Sequence, residues 1–179
     1  MTDPYFALFD TALGRCGVAW NGAGVRAVAF PEGDDAKTRA RLLKRAEGAV
    51  EAAPPCTVAR LIDDIVALLA GEKRDLTYAD LDMTGVDPFD REVLGLTLEI
   101  EAGATRTYGD IAEALGDISL SRHVGQALGR NPFPIVVPCH RVVGADGRMT
   151  GFSAPGGIEA KRKLLKIEGA LGPELFDRL

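Results

Sequence analysis

The chain has 179 residues, of which 46% are hydrophobic and 26% are charged, and this composition excludes an intrinsically disordered chain. At about 100–200 residues per domain, the length fits one domain or two small ones that share a core. Three cysteines form no disulfide framework, and no signal peptide or run of about 20 apolar residues is visible. We therefore expect a cytoplasmic protein without membrane contact.

The charge is distributed unevenly along the chain. The net charge of −5 argues against a nucleic-acid partner for the chain as a whole. Residues 118–166, however, contain eight Lys and Arg against only Asp146 and Glu159, which gives this stretch a charge of +6. A basic segment on an acidic protein can still bind phosphates, although a solvated surface explains the same charges.

Residues 1–85 predict a small α/β domain. Three short strands are expected within residues 5–31, where apolar runs alternate with Gly and Asn. Helical spacing predicts one helix from Asp34 to Val50 and a second, amphipathic helix over residues 57–70. A fourth strand is expected in the polar connector 75–83, before a domain boundary near residue 86.

Residues 86–179 predict a mainly helical domain. One helix is expected over residues 89–103, and two short helices, TYGDIAEALG and SRHVGQALGRN, follow with a tight turn between them. This pair has the outline of a helix-turn-helix, a weak signal on its own. Three prolines predict a rigid, extended segment over residues 131–138, and the last helix is IEAKRKLLKIEG.

Cys139 and His140 are the candidate chemical pair. Pro138 fixes the backbone before the cysteine, and the apolar run 135–137 anchors the segment in a core. A thiol reacts as the thiolate, and a neighbouring base can generate it. A buried cysteine beside a satisfied histidine is the commoner reason for such a pair. Cys16 and Cys56 have no nearby histidine, so structural roles and no metal site are expected.

The order and spacing of the C-terminal motifs are more specific than any one of them. TYGDIA, SRHVGQALGRNP, PIVVPCHRVVG and KRKLLKIEG together resemble the methylated-DNA–protein-cysteine methyltransferases, also called O6-alkylguanine-DNA alkyltransferases. The resemblance covers residues 88–170 and, more loosely, the N-terminal unit. It implies an α/β (α+β) fold. By this resemblance, a ribonuclease H-like unit with a short β-sheet would occupy residues 1–85, and a mainly helical DNA-binding domain with a helix-turn-helix would occupy residues 86–179.

The resemblance also implies the activity. The protein would repair DNA by direct reversal, transferring a methyl or larger alkyl group from O6-alkylguanine, and from O4-alkylthymine, to its own Cys139. The transfer would be irreversible, with one turnover per molecule, and would need no cofactor and no metal. The partner would be double-stranded DNA with the damaged base flipped out, and the protein would act as a monomer.

Five residues acquire catalytic roles from the resemblance. Cys139 is the alkyl acceptor, His140 is the base that deprotonates it through water, and Glu168 orients the histidine. Asn131 braces the active-site turn. Tyr108 contacts the phosphate beside the target nucleotide and hydrogen-bonds the guanine ring. We accordingly expect the pKa of Cys139 to lie below the value of roughly 8.5 for a free thiol.

The remaining implied residues contact the DNA or the extruded base. Arg122 enters the base stack and fills the gap that the flipped nucleotide leaves, and Ser121 and Arg130 are expected to contact DNA beside it. Val142 offers a backbone carbonyl to the guanine amino group. A loop with Gly151, Phe152 and Ser153 closes over the base. Extra loop residues around Ala154–Pro155 distinguish this chain from many members and leave the tolerated alkyl size open.

Three other functions compete with this interpretation. A non-catalytic sensor of DNA lesions would use the same helix pair, but it would not need Cys139. A Cys–His hydrolase usually brings its two residues together from distant parts of the chain. A transcription factor that senses alkylation would need a metal-binding cysteine cluster, which Cys16 and Cys56 do not provide.

Overall fold

Short turns near the N-terminus join three antiparallel strands. A computed structural model describes residues 3–171 and places β1 at Tyr5–Thr11, β2 at Gly14–Asn21 and β3 at Gly24–Ala29. Gly14 and Gly24 each begin a strand with φ of 118° and 137°, a conformation that favours glycine. A two-residue strand, β4, pairs parallel with β1, so the sheet order is β3-β2-β1-β4. β4 spans Val50–Glu51.

A helix covers each face of this sheet. α1, Asp35–Leu43, begins where the Asp34 side chain accepts a hydrogen bond from the Lys37 amide. It packs so closely that a Cβ at Gly17 would lie 2.6 Å from Leu42 Cδ1. α2, Cys56–Leu69, packs its apolar stripe on the opposite face. Alternating strand residues divide between these two layers, as the two-residue period of a strand requires.

Two expectations for the N-terminal half are wrong. The helix expected to reach Val50 ends at Leu43, since Gly48 reverses the chain at φ 77° and Val50 joins the sheet instead. The connector 75–83 forms no strand but a single bridge. There, Val25 donates to the Asp80 carbonyl at 2.8 Å and accepts from the Asp82 amide at 2.8 Å.

The C-terminal half is mainly helical, as expected. α3 covers Pro88–Leu98, α4 covers Tyr108–Ala114, α5 covers Ser121–Gly129 and α6 covers Gly157–Ile167. α4, a short 3₁₀ turn and α5 form the helix pair. α3 ends at Leu98, earlier than the end expected at Gly103. Ile100 is therefore buried but lies outside the helix. The mixed α+β class is confirmed.

One apolar core connects the two halves. It contains Val18 of β2 and Ile65 of α2 together with Val124 of α5 and Leu164 of α6. The Val28 amide of β3 also donates to the Pro132 carbonyl at 2.9 Å, which fixes the segment before the candidate cysteine against the sheet. The division at residues 85 and 86 remains a prediction. Between residues 3 and 171, no helix is long and apolar enough to span a bilayer.

Candidate active site

Cys139 begins a 3₁₀ turn that an asparagine braces. The segment before it is a tight turn rather than the expected extended chain, because Ile135 adopts φ 75° and the Val137 amide donates to the Phe133 carbonyl at 2.8 Å. Asn131 spans this turn: its Nδ2 donates to the Val137 carbonyl, and its Oδ1 accepts from the Phe133 amide, both at 2.9 Å. Asn131 therefore holds the backbone that presents the thiol.

The Cys139 thiol is half-buried and its pKa is raised, not lowered as expected. Burial is the main cause, because a thiolate loses hydration there. The Asn131 side chain, the Lys161 cation and nearby backbone amides act in the opposite direction. At neutral pH the resting group is therefore the thiol, and a base must remove its proton.

His140 and Arg141 both bind one buried carboxylate. His140 Nε2 lies 2.9 Å from Glu168 Oε1, and Arg141 grips the two oxygens of Glu168 with Nη2 at 2.7 Å and Nε at 2.9 Å. Burial alone would raise the pKa of Glu168, but these hydrogen bonds lower it to about 2. Burial lowers the pKa of His140, although Glu168 opposes that effect. Glu168 is therefore ionised and His140 neutral at pH 7.

The tautomer of His140 follows from these states. An ionised carboxylate only accepts hydrogen bonds, so His140 Nε2 carries the proton and Nδ1 has a free lone pair. Nδ1 is buried and has no hydrogen-bond partner among the described residues. His140 is thus set up as a base through Nδ1, on the residue next to the thiol.

Tyr108 and Lys161 form a second polar group beside Cys139. The parallel pair β5, Arg106–Thr107, and β6, Val142–Val143, brings the start of α4 next to the active-site turn. The Tyr108 hydroxyl donates to the Thr150 carbonyl at 2.8 Å. Lys161 Nζ donates to the Val142 carbonyl at 2.5 Å and to the Tyr108 hydroxyl at 3.4 Å. Burial lowers the pKa of Lys161 to about 8.

A cavity of about 740 Å³ opens over Cys139. α5 and the loop 150–154 line its sides, and Gly125 of α5 lies next to the Tyr108 ring. The side chains of His140 and Glu168 lie buried outside the cavity lining. The cavity brings together eight of the residues that the resemblance implied: Tyr108, Ser121, Arg122, Asn131, Cys139, Gly151, Phe152 and Ser153.

Known proteins are similar to this chain in both sequence and structure. A family model described as the DNA-binding domain of 6-O-methylguanine DNA methyltransferase matches residues 88–170. The methylated-DNA–protein-cysteine methyltransferase of Methanothermobacter thermautotrophicus is 35% identical over 153 residues, which cover 86% of this chain and 78% of the relative. The chain belongs to the methylated-DNA–protein-cysteine methyltransferase family.

Solved structures of the family agree with this assignment. The Mycobacterium tuberculosis O6-methylguanine methyltransferase superposes with a TM-score of 0.74 at 32% identity, covering 97% of this chain and 99% of that one. The M. tuberculosis OGT in complex with DNA gives 0.74 at 31% identity, with coverages of 96% and 97%. Family membership confirms the predicted enzyme class, an S-methyltransferase that acts in direct-reversal DNA repair.

The residues expected to contact DNA differ in their surroundings. Arg122 is exposed on α5 and lines the cavity, and its guanidinium has no hydrogen-bond or ion-pair partner among residues 3–171. The Ser121 hydroxyl donates to the Ile118 carbonyl at 2.7 Å. Arg130 lies outside the cavity, and its guanidinium makes two hydrogen bonds of 2.7 Å with the buried carboxylate of Asp90. The structure therefore gives Arg130 a bridging contact between α5 and α3, and its contact with DNA remains a prediction.

The loop over the cavity is held from several sides. Phe152 packs edge-on against Phe30 of the N-terminal unit, with ring centroids 6.0 Å apart. The Ser153 hydroxyl donates to the Gly129 carbonyl at 3.2 Å, and Gly151 accepts from Tyr108 at 3.3 Å. The Val142 carbonyl, expected to receive the guanine amino group, is bonded to Lys161.

Sequence reasoning missed two residues of the site, Lys161 and Arg141. In the sequence Lys161 belongs to a run of basic residues, which indicates a solvated position, yet it is fully buried. Its spacing to Leu164 and Leu165 places it on the apolar face of α6, and this signal could have identified it. Arg141 donates from Nη1 to the Ile100 carbonyl at 2.5 Å, a contact 41 residues away in sequence that no local pattern reveals.

Proposed function

We propose that this protein transfers a methyl or larger alkyl group from O6-alkylguanine in double-stranded DNA to Cys139, once per molecule. The observation that carries the proposal is the pairing of Cys139, at the wall of the open cavity, with the buried His140–Glu168 pair. A structural cysteine would need no cavity above it and no buried base beside it. O4-alkylthymine is a further expected substrate, and cytoplasmic, monomeric action remains a prediction.

The base is expected to enter the cavity extruded from the duplex. The O6 position of guanine lies at the pairing edge and is inaccessible inside a base stack. Ligand cavities of about 300–1,000 Å³ bury most of a small molecule, and this one is about 740 Å³. Arg122 has a free guanidinium at the rim, so it can enter the stack as the base leaves.

His140 supplies the base that the raised pKa of Cys139 requires. Its Nδ1 accepts the thiol proton, directly or through one water, and the imidazolium that forms is stabilised by the ionised Glu168. Arg141 fixes both carboxylate oxygens, so Glu168 keeps its direction while the charge on His140 changes. The Lys161 cation stabilises the thiolate from another side.

The alkyl transfer then proceeds in one displacement. The Cys139 thiolate forms an S–C bond to the alkyl carbon while the C–O6 bond breaks, and the electron pair of that bond stays on the guanine. Tyr108 is expected to exchange its Thr150 contact for the guanine ring, where its hydroxyl donates to the developing negative charge. The proton held by His140 then passes through water to the guanine anion, so the products are unmodified guanine, a neutral His140 and a thioether at Cys139. Water does not displace a thiolate from a thioether at a useful rate, so the protein reacts once.

Mass analysis of the intact protein tests the proposal. After incubation with duplex DNA that contains O6-methylguanine, each molecule should gain one methyl group in place of one hydrogen. Peptide mapping should find the methyl on Cys139 and on neither Cys16 nor Cys56. With DNA in excess, the unrepaired lesions should equal the surplus over protein. A lesion sensor would bind the DNA without a mass change, and a hydrolase would turn over repeatedly; either result refutes the proposal.

Replacing Arg122 by alanine tests the flipping step. The variant should react with a free O6-alkylguanine base at close to the wild-type rate, since no stack has to be opened there. Its rate on a duplex lesion should fall by about tenfold or more. Flipping the nucleotide costs a few kcal/mol, and without the Arg122 side chain in the base stack no part of that cost is offset. Comparing single-turnover rates on the two substrates gives the answer. An equal loss on both would remove Arg122 from base flipping.

A further inference from the structure

A cationic groove on the N-terminal unit continues from the cavity above Cys139. A second cavity, of about 180 Å³, lies between α1 and the segment 129–134. The two cavities meet at a shared wall, so the second extends the first across the surface of the N-terminal unit. The residues that line both are Arg41, Gly129, Asn131, Pro134 and Ala154.

The last turn of α1 and the two residues that follow the helix supply three cations to this groove. Arg41, Lys44 and Arg45 line the smaller cavity and are all exposed. Arg130, which directly follows α5, borders it, and the Arg130 carbonyl accepts from Arg45 Nη2 at 3.0 Å. Lys44 has no side-chain partner among residues 3–171, so its charge is available to a ligand.

Acidic groups cancel only part of this charge. Glu32 lies 3.8 Å from Arg41, and Asp90 neutralises Arg130. Lys44 and Arg45 have no carboxylate partner within the described part of the chain, so the groove carries a positive charge on a protein whose net charge is −5. Cations near a helix C-terminus also interact favourably with the helix dipole and so stabilise the helix, but that role does not require them to line a continuous groove.

We propose that Arg41 and Lys44 bind the DNA backbone next to the extruded nucleotide. The inference rests on the proposed function, because the groove matters to DNA only when the base occupies the cavity above Cys139. Since Arg41 lines both cavities, a phosphate adjacent to that nucleotide can meet Arg41 and the following one can meet Lys44. The N-terminal unit, to which the sequence assigned no chemistry, thereby becomes part of the DNA-binding surface.

Salt-dependent binding of the whole chain tests this inference. Fluorescence anisotropy would measure the affinity of the Arg41→Gln/Lys44→Gln variant for a duplex with one O6-methylguanine. Each phosphate contact contributes about 0.9 to the slope of log affinity against log salt, so two lost contacts should reduce the slope by about 1.8. We expect the affinity at low salt to fall by roughly tenfold or more.

A charge-matched control separates a local contact from net charge. Lys37 and Lys73 are exposed and lie outside both cavities, so the Lys37→Gln/Lys73→Gln variant changes the net charge equally. It should retain a near wild-type slope. Glu32→Gln should tighten binding, because it removes the carboxylate beside Arg41. If the two double variants bind with the same affinity and slope, the inference is overturned.

Single neutral phosphates locate the contact. We would measure binding to a set of duplexes that each carry one neutral methylphosphonate, placed in turn at the positions within three nucleotides of the lesion. At one of these positions the methylphosphonate should weaken binding by the wild type but not by Arg41→Gln. Its absence would overturn the proposed phosphate contact. Methyl gain at Cys139 is measured separately on the wild type, so a failure of the proposed function shows in the mass and a failure of this inference in the binding.

Discussion

Replacing Cys139 by alanine is expected to abolish methyl transfer completely while DNA binding persists. No other group takes over the reaction, because Cys16 is buried in β2 with its pKa raised to about 11, and Cys56 lies on α2 outside the cavity. The DNA-facing residues of α5 are unchanged by this substitution. The intact mass should stay constant over hours with methylated duplex DNA, while the affinity for that DNA remains within about threefold.

Cys56→Ala is the matched control, since it removes the exposed thiol and should still gain one methyl group per molecule. A small alkylating probe adds a pH test on the wild type. Since burial raises the pKa of Cys139, the rate should keep rising above the ordinary thiol pKa rather than level off below it. Any methyl gain by the alanine variant would show that the acceptor had been misassigned.

The helical elements and the position of the reactive Cys139–His140 pair could be predicted because their signals are local, although the turn before Cys139 could not. Pro138, Cys139 and His140 are consecutive, and α4 and α5 each show one apolar face between glycine boundaries. The errors arose where a distant partner decides the conformation. Val50 lies at helical spacing in the sequence, but in the fold it belongs to β4, which pairs parallel with β1.

The electrostatics of the site were less predictable for the same reason. The adjacency of His140 suggested a low pKa for Cys139, whereas burial beneath the loop and α5 raises it. The resemblance singles out Asn131 and Glu168; Asn131 bridges the turn before Cys139 and Glu168 lies against His140, while their roles in the reaction remain predictions. The partners Lys161 and Arg141 could be identified only from the fold, since Lys161 contacts Val142 19 residues away and Arg141 contacts Glu168 27 residues away.

Replacing Glu168 by glutamine is expected to impair both stability and methyl transfer. The carboxylate is 3% exposed and binds His140 and Arg141 at once. Its folded pKa of about 2 lies below the reference value of 4.5, so the ionised form stabilises the fold above pH 4.5. At 1.36 kcal/mol per pKa unit, this stabilisation is about 3 kcal/mol at pH 7, and the wild type loses it as the pH falls from about 5 to 2.

The pH dependence makes this prediction specific. Urea unfolding should show the wild type about 3 kcal/mol more stable than Glu168→Gln at pH 7, with the difference shrinking as the pH falls below 5. Methyl transfer should slow by about 100-fold or more, because His140 loses the anion that fixes its tautomer and stabilises its charged form. Glu159→Gln, an exposed position on α6, the helix that ends just before Glu168, should change stability by less than about 0.5 kcal/mol. A folded Glu168→Gln protein that reacts at the wild-type rate would exclude the His140–Glu168 pair from thiol activation. A stability difference that does not change with pH would show that Glu168 stabilises the fold by packing rather than by its charge.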